Sequence, residues 1–122
     1  MKYLLDTHTF LWTVFEPEKI SVKAKALITN PEKATFVSIV SFWEISLKHS
    51  LGKLHLENVS PSEFPDIAKT MDMEILEIDA NDVSTFHELP RIGHRDPFDR
   101  LIIWQAIRRK MHIVTKDNEF KL

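Results

Sequence analysis

Two rhythms alternate along the chain. Short, mostly apolar runs at residues 2–5, 35–37, 74–78 and 112–115 read as strands, and the first reads as a strand buried on both faces because it does not alternate with polar residues. Between them, apolar residues recur at spacings of three and four, as on one side of a helix. Residues 7–15 place Phe10, Leu11, Val14 and Phe15 on such a stripe until Glu16-Pro17 ends it. Residues 21–29 bury Ala24, Leu27 and Ile28, and Asn30-Pro31 closes them. Ser38 caps a helix through His49 that buries Phe42 and Ile45, with Trp43 beside them, and that stops near Gly52. Residues 61–71 form a helix on Phe64, Ile67 and Ala68, with Pro65 tolerable only near the start. Residues 80–89 form another, capped by Asp79 or Asn81 and ended by Pro90.

The strongest helix signal is D-P-F-D-R-L-I-I-W-Q-A-I-R-R-K at 96–110. Asp96 serves as N-cap, and Pro97 stands where a first helical residue can lack its N–H without loss. Phe98, Leu101, Ile102 and Ala106 form the stripe, widened by Ile103 and Ile107. Strands alternating with helices over short connections predict an α/β fold, with a parallel sheet covered by helices on both faces.

Composition narrows the chemistry. The 122 residues are read as one domain, 1–122, and 43% hydrophobic with 28% charged residues fits a soluble globular chain. Having Gly52 and Gly93 as the only glycines excludes a Gly-rich phosphate loop, and the absence of cysteine excludes disulfides and thiolate chemistry. No apolar run is long enough for a signal peptide or a membrane span, so a cytoplasmic location is expected. The net charge is −2, but residues 91–116 carry a local excess of +5 that can attract phosphate. Arg108, Arg109 and Lys110 are expected to be a solvated helix end. Trp12, Trp43 and Trp104 are read as core or interface residues.

Four acids then come together. In open parallel sheets ligands bind beyond the carboxyl ends of the strands. Asp6 ends the first strand, Glu44 follows the second, Asp99 opens the helix leading to the fourth, and Asp117 lies just past that strand. Each has a local alternative: Asp96 and Asp99 stabilise a helix N-terminus, and Ser41-x-x-Glu44 matches a capping box if that helix starts late. Together they are harder to explain, since like charges about 4 Å apart repel by roughly 4 kcal/mol at an effective dielectric of 20. A domain stable by only about 5–15 kcal/mol holds several such pairs only with protonation or a bound cation. An all-oxygen site suits Mg²⁺ or Mn²⁺ and phosphoryl chemistry.

The motifs D-T-H at 6–8, F-W-E-I at 42–45, H-R-D-P-F-D-R-L-I at 94–102 and T-K-D at 115–117 resemble the PIN domain, and more narrowly the VapC-type toxins of toxin–antitoxin pairs. That resemblance covers nearly the whole chain. It implies a three-layer α/β sandwich with sheet order 3-2-1-4-5, although the chain stops at Leu122, where a fifth strand would be expected to continue, so that strand is expected to be missing. It implies a Mg²⁺- or Mn²⁺-dependent ribonuclease leaving 5′-phosphate and 3′-hydroxyl ends, with Asp6, Glu44, Asp99 and Asp117 as the catalytic, metal-holding acids. Asp96 is then a supporting or helix-capping residue, and Thr7, Thr115, His94 and Arg95 orient the site or touch RNA. A homodimer silenced by a small antitoxin is implied, with Phe10, Trp12 and Phe15 serving either its docking or the core. An inactive RNA-binding or interaction module on the same fold is the alternative. A receiver-like phosphoacceptor would need a second acid beside Asp6, and a haloacid-dehalogenase-type phosphatase would need Asp where His8 stands.

Overall fold

In the computed structural model, residues 1–91, 93 and 96–115 are described, together with the backbone of 119–120. The chain runs β1 (Lys2–Leu5), α1 (Thr7–Phe15), α2 (Val22–Thr29), β2 (Ala34–Ser38), α3 (Ile39–Ser50), α4 (Phe64–Thr70), β3 (Glu74–Leu76), α5 (Ala80–Ser84), α6 (Pro97–Arg109), β4 (His112–Val114) and β5 (Glu119–Phe120). The sheet order is β3-β2-β1-β4-β5. The first four strands in that order are parallel, with Leu5 level with both Val37 and Val114. That register aligns the carboxyl ends of β1, β2 and β4 along one edge.

Why β1 takes the centre follows from its composition. Tyr3 and Leu5 point into one core with Phe10, Ala24, Val37, Ile45, Phe64 and Val114. Leu4 points the other way, into a core with Val40, Leu101, Ile102, Ala106 and Ile113. Successive strand side chains face opposite sides, so an unbroken apolar run has to be covered twice. Helices α1, α2 and α4 supply one cover and α6 the other, while α3 contributes Val40 to one core and Ile45 to the other.

The fifth strand expected to be missing is present as a pair of residues. Glu119–Phe120 runs antiparallel to β4, with Ile113 opposite Phe120 and Val114 opposite Glu119. Antiparallel neighbours need no crossover element between them, so two residues close behind β4 in sequence can pair its edge. Two other elements are shorter than the pattern predicts: 61–71 divides into a 3-10 turn at Pro61–Glu63 and α4, and 80–89 into α5 and a 3-10 turn at Phe86–Glu88. Among the described residues no helix is long and apolar enough to cross a membrane.

Candidate metal centre and the helices that build it

Among the described residues, Asp6 and Asp96 cap helices at the sheet edge, Asp99 lies in a first turn and Glu44 in a second. Asp6 follows β1 directly and caps α1, its Oδ1 accepting the Thr9 amide at 2.8 Å, while its own amide donates to the Val114 carbonyl at 3.1 Å. Burial pushes the Asp6 carboxyl above its ordinary range, the Thr9 hydrogen bonds oppose that, and the negative charge of Glu44 adds to it. Thr7, buried beside Asp6, donates from its hydroxyl to Ser41 Oγ at 2.9 Å and so ties α1 to α3.

Helix α3 starts where Ser38 accepts the Val40 amide at 3.0 Å, three residues earlier than a Ser41 capping box would require. Glu44 therefore lies inside the helix and has no amide at the N-terminus to reach. It is 2% exposed. Its Oε2 accepts from Lys48 Nζ, one turn on, and its buried Oε1 has no hydrogen-bond partner among the described residues. On α6, Asp96 caps the helix as expected, with Oδ1 accepting from the amides of Phe98 at 2.8 Å and Asp99 at 3.3 Å. Its Oδ2 lies 3.6 Å from Lys48 Nζ. Glu44, Asp96 and Asp99 each bring a carboxylate oxygen to a common place, all within 4.8 Å of one another.

The membership of this cluster differs from expectation in one respect. Asp96, assigned to support, joins Glu44 and Asp99, while Asp6 is linked to the group through the field of Glu44 rather than as one of the three. Thr115 is half-buried just beyond β4. Asp117, His94 and Arg95 lie outside the described residues.

The donor set fits a hard divalent cation. It is all oxygen, it carries excess negative charge, and it contains a buried carboxylate oxygen with no donor to satisfy it, a costly arrangement without a ligand. Among the described residues Lys48 brings a cation to this cluster, one that the motifs did not single out. Burial works against the Lys48 ammonium, but Glu44, Asp96 and Asp99 outweigh it, so its proton is held more tightly than usual. Its signal was present as a Glu–Lys pair at i, i+4 in E-I-S-L-K.

Behind the acids, α3 and α6 are fastened by Gln105, which is fully buried. Gln105 Oε1 accepts from the Ser38 hydroxyl at 2.6 Å, and its Nε2 donates to the Glu77 carbonyl at 3.2 Å and to Asp82 Oδ2 at 3.1 Å. The hydroxyl that caps the helix carrying Glu44 is thus held by the helix carrying Asp99.

Arg108 and Lys110 are exposed, as expected of a solvated helix end, but the segment is also paired. Arg108 and Arg109 both pair with Asp79 and with the buried Asp82. Arg100 donates to the carbonyls of Leu89 and Pro90, each at 3.2 Å. The charges of Arg108 and Arg109 are therefore balanced within the fold. Of the tryptophans, Trp12 and Trp104 are half-buried, whereas Trp43 is 55% exposed and meets Phe98 edge-on, 4.8 Å between ring centroids. Phe10 is wholly in the core, while Trp12 and Phe15 line an open groove with His8, Leu11, Leu54 and Leu56.

Residues 3–122 match the PIN domain family. The chain belongs to the PIN domain family. One relative of this PIN domain is Ribonuclease VapC22 of Mycobacterium tuberculosis, 27% identical over 118 residues that cover 97% of this chain and 88% of that one. The fold is shared with VapBC2 from Rickettsia felis, described bound to a DNA fragment from its promoter; there the TM-score is 0.67 at 20% identity, over 94% of this chain and 87% of that chain. The sheet order 3-2-1-4-5 expected from the motifs is thus found in a chain that belongs to the PIN domain family.

Proposed function

We propose that this PIN domain is a metal-dependent endoribonuclease and the toxin of a toxin–antitoxin pair. The observation that carries the proposal is Glu44: a carboxylate buried in the fold, one oxygen without a donor, facing Asp96 and Asp99. A purely structural acid so deeply buried would be expected to have both oxygens met. Kinship with a relative named as a VapC ribonuclease supports the same reading.

In this reading Glu44, Asp99, Asp6 and Asp117 hold Mg²⁺ or Mn²⁺, and Asp96 both caps α6 and shares the cluster. The metal, when bound, supplies Lewis acidity toward the phosphodiester and an activated water. The chain's own residues do the rest. Glu44, anchored by Ser38 and Gln105 through α3, offers a fixed acceptor for a proton of the attacking water. Asp6, its carboxyl raised by burial, is held by Thr9 at the same edge, and the Thr7–Ser41 hydrogen bond keeps α1 and α3 at fixed spacing. Thr115, His94 and Arg95 orient the edge or contact the RNA backbone.

The protein is cytoplasmic in this account. It pairs with a second copy through the apolar recess of Trp43, Val83, Phe86, Phe98 and Leu101, and it is silenced by an antitoxin segment laid in the Trp12–Phe15 groove. The test is cleavage of structured RNA with Mg²⁺ or Mn²⁺, beside Asp6→Asn and Asp99→Asn, with the ends mapped. Cleavage by the parent alone, leaving 5′-phosphate ends, is expected; equal cleavage by all three would support the inactive-module alternative.

A further inference from the structure

Lys48 stands among the acids, yet the reading above gives it no part. It lies four residues after Glu44 on α3, where side chains at i and i+4 meet, and its Nζ contacts Glu44 Oε2. The same ammonium is 3.6 Å from Asp96 Oδ2 and sits over the Phe98 ring, 5.8 Å from its centroid. It therefore spans from the second turn of α3 to the first turn of α6 and touches two of the three clustered acids. Its side chain is 32% exposed against 3% for Glu44, so the ammonium enters the cluster from the solvent side. A flexible four-carbon stem lets such a group withdraw without moving the core.

Charge and geometry then set a condition. The Lys48 ammonium meets Glu44 and Asp96 in a cluster whose ligand atoms lie within 4.8 Å of one another, and among the described residues Glu44 Oε1 has no donor. A divalent cation that took Glu44 and Asp99 as ligands would lie beside the Lys48 ammonium, and two cations so close repel. Both cannot keep the Glu44 carboxylate at full strength.

Resting on the metal-dependent reading, we propose that Lys48 is an internal counter-cation. It holds the acids of α3 and α6 together in the metal-free chain and is displaced from Glu44 when the divalent ion enters. Metal affinity is consequently lower than the carboxylates alone would give, because binding includes the exchange of one cation for another.

The experiment is calorimetric titration of Mn²⁺ into the parent chain, Lys48→Met, Lys48→Arg and Asp99→Asn, at one pH and ionic strength. Lys48→Met is expected to bind Mn²⁺ about tenfold more tightly than the parent while melting at a lower temperature without metal. Lys48→Arg, which keeps the charge, is expected to bind no more tightly than the parent. Equal or weaker Mn²⁺ binding by Lys48→Met overturns the proposal. Should Lys48→Met fail to fold, the side-chain ammonium signal of Lys48 in the parent, followed by ¹⁵N NMR, carries the test. It should shift on saturation with Mg²⁺, and an unchanged signal overturns the exchange. A parent chain that binds no Mn²⁺ removes the metal reading and this proposal with it. A parent that binds Mn²⁺ through Asp99, with no tightening in Lys48→Met, removes this proposal alone.

Discussion

Helix α6 begins in one charged cluster and ends beside another, and the two are built in opposite ways. At its C-terminal end Asp82 is fully buried, and both its oxygens are met: Oδ1 by Arg108 and Arg109, Oδ2 by Arg109 at 2.9 Å, Gln105 at 3.1 Å and the Asp79 amide at 3.1 Å. Burial alone would raise the Asp82 carboxyl, but Arg109, the Asp79 amide, Gln105 and Arg108 together bring it down to about 2. At the N-terminal end, Lys48 meets Glu44 and Asp96, Glu44 Oε1 has no donor among the described residues, and burial pushes the nearby Asp6 carboxyl upward. The first cluster is closed, with compensation supplied by the chain. The second is only partly compensated, which is what a site awaiting a cation requires.

The largest way to break this comparison is by activity. Glu44→Gln and Asp99→Asn should each lower RNA cleavage by about 10³-fold, the size of effect expected when a group acting on the transition state is removed, roughly 4 kcal/mol. Asp79→Asn, at the closed cluster, should leave the rate per folded molecule unchanged. Comparable losses in all three would erase the distinction.

Stability should sort the other way. Asp82→Asn removes the buried negative charge that Arg108 and Arg109 meet beside Asp79, so a loss of about 3 kcal/mol in urea denaturation is expected. Asp99→Asn, which lowers the charge of a cluster of acids, should cost metal-free stability less than Asp82→Asn does. A metal-free Asp99→Asn that unfolds as readily as Asp82→Asn would contradict the assignment.

Acid sharpens the contrast further because the two regions respond with opposite sign. The folded value of Asp82, about 2, lies below its ordinary 3.8, so its contribution is present above 3.8 and is lost as the pH falls toward 2. Asp6 is raised above 3.8, so its ionisation costs the folded state, and that cost develops as the pH rises from 3.8 through the raised value. Denaturant midpoints across this range should show Asp6→Asn more stable than the parent at neutral pH without metal, with the gap closing on acidification. Asp82→Asn should show a deficit that also closes there. A gap that widens in either case would be inconsistent with the cited directions.

What could be read from the sequence follows the range of the interactions involved. The run K-Y-L-L, the D-P-F-D helix start and the Ser38 cap are local, and each predicts its element to within a residue or two. Glu44 and Asp99 could be placed at one edge because strand ends and helix starts are local signals too. The closed cluster could not. Asp82 meets Arg108 and Arg109 across 26 and 27 residues, and nothing in the periodicity of either helix announces the pairing. Lys48 was visible as a helix pair with Glu44, but its second contact, to Asp96, depends on how α3 packs against α6. The two-residue β5 is too short for any alternation to reveal.

The account's central claim is that the α3–α6 acids are arranged for a divalent cation. Its most direct test is the melting temperature of the parent, Asp99→Asn and Asp79→Asn with and without Mn²⁺ at tenfold its dissociation constant from the parent chain. Binding confined to the folded state stabilises by about 1.4 kcal/mol under those conditions, so a rise of about 5 °C is expected for the parent and for Asp79→Asn, and almost none for Asp99→Asn. An equal rise in Asp99→Asn would contradict the claim.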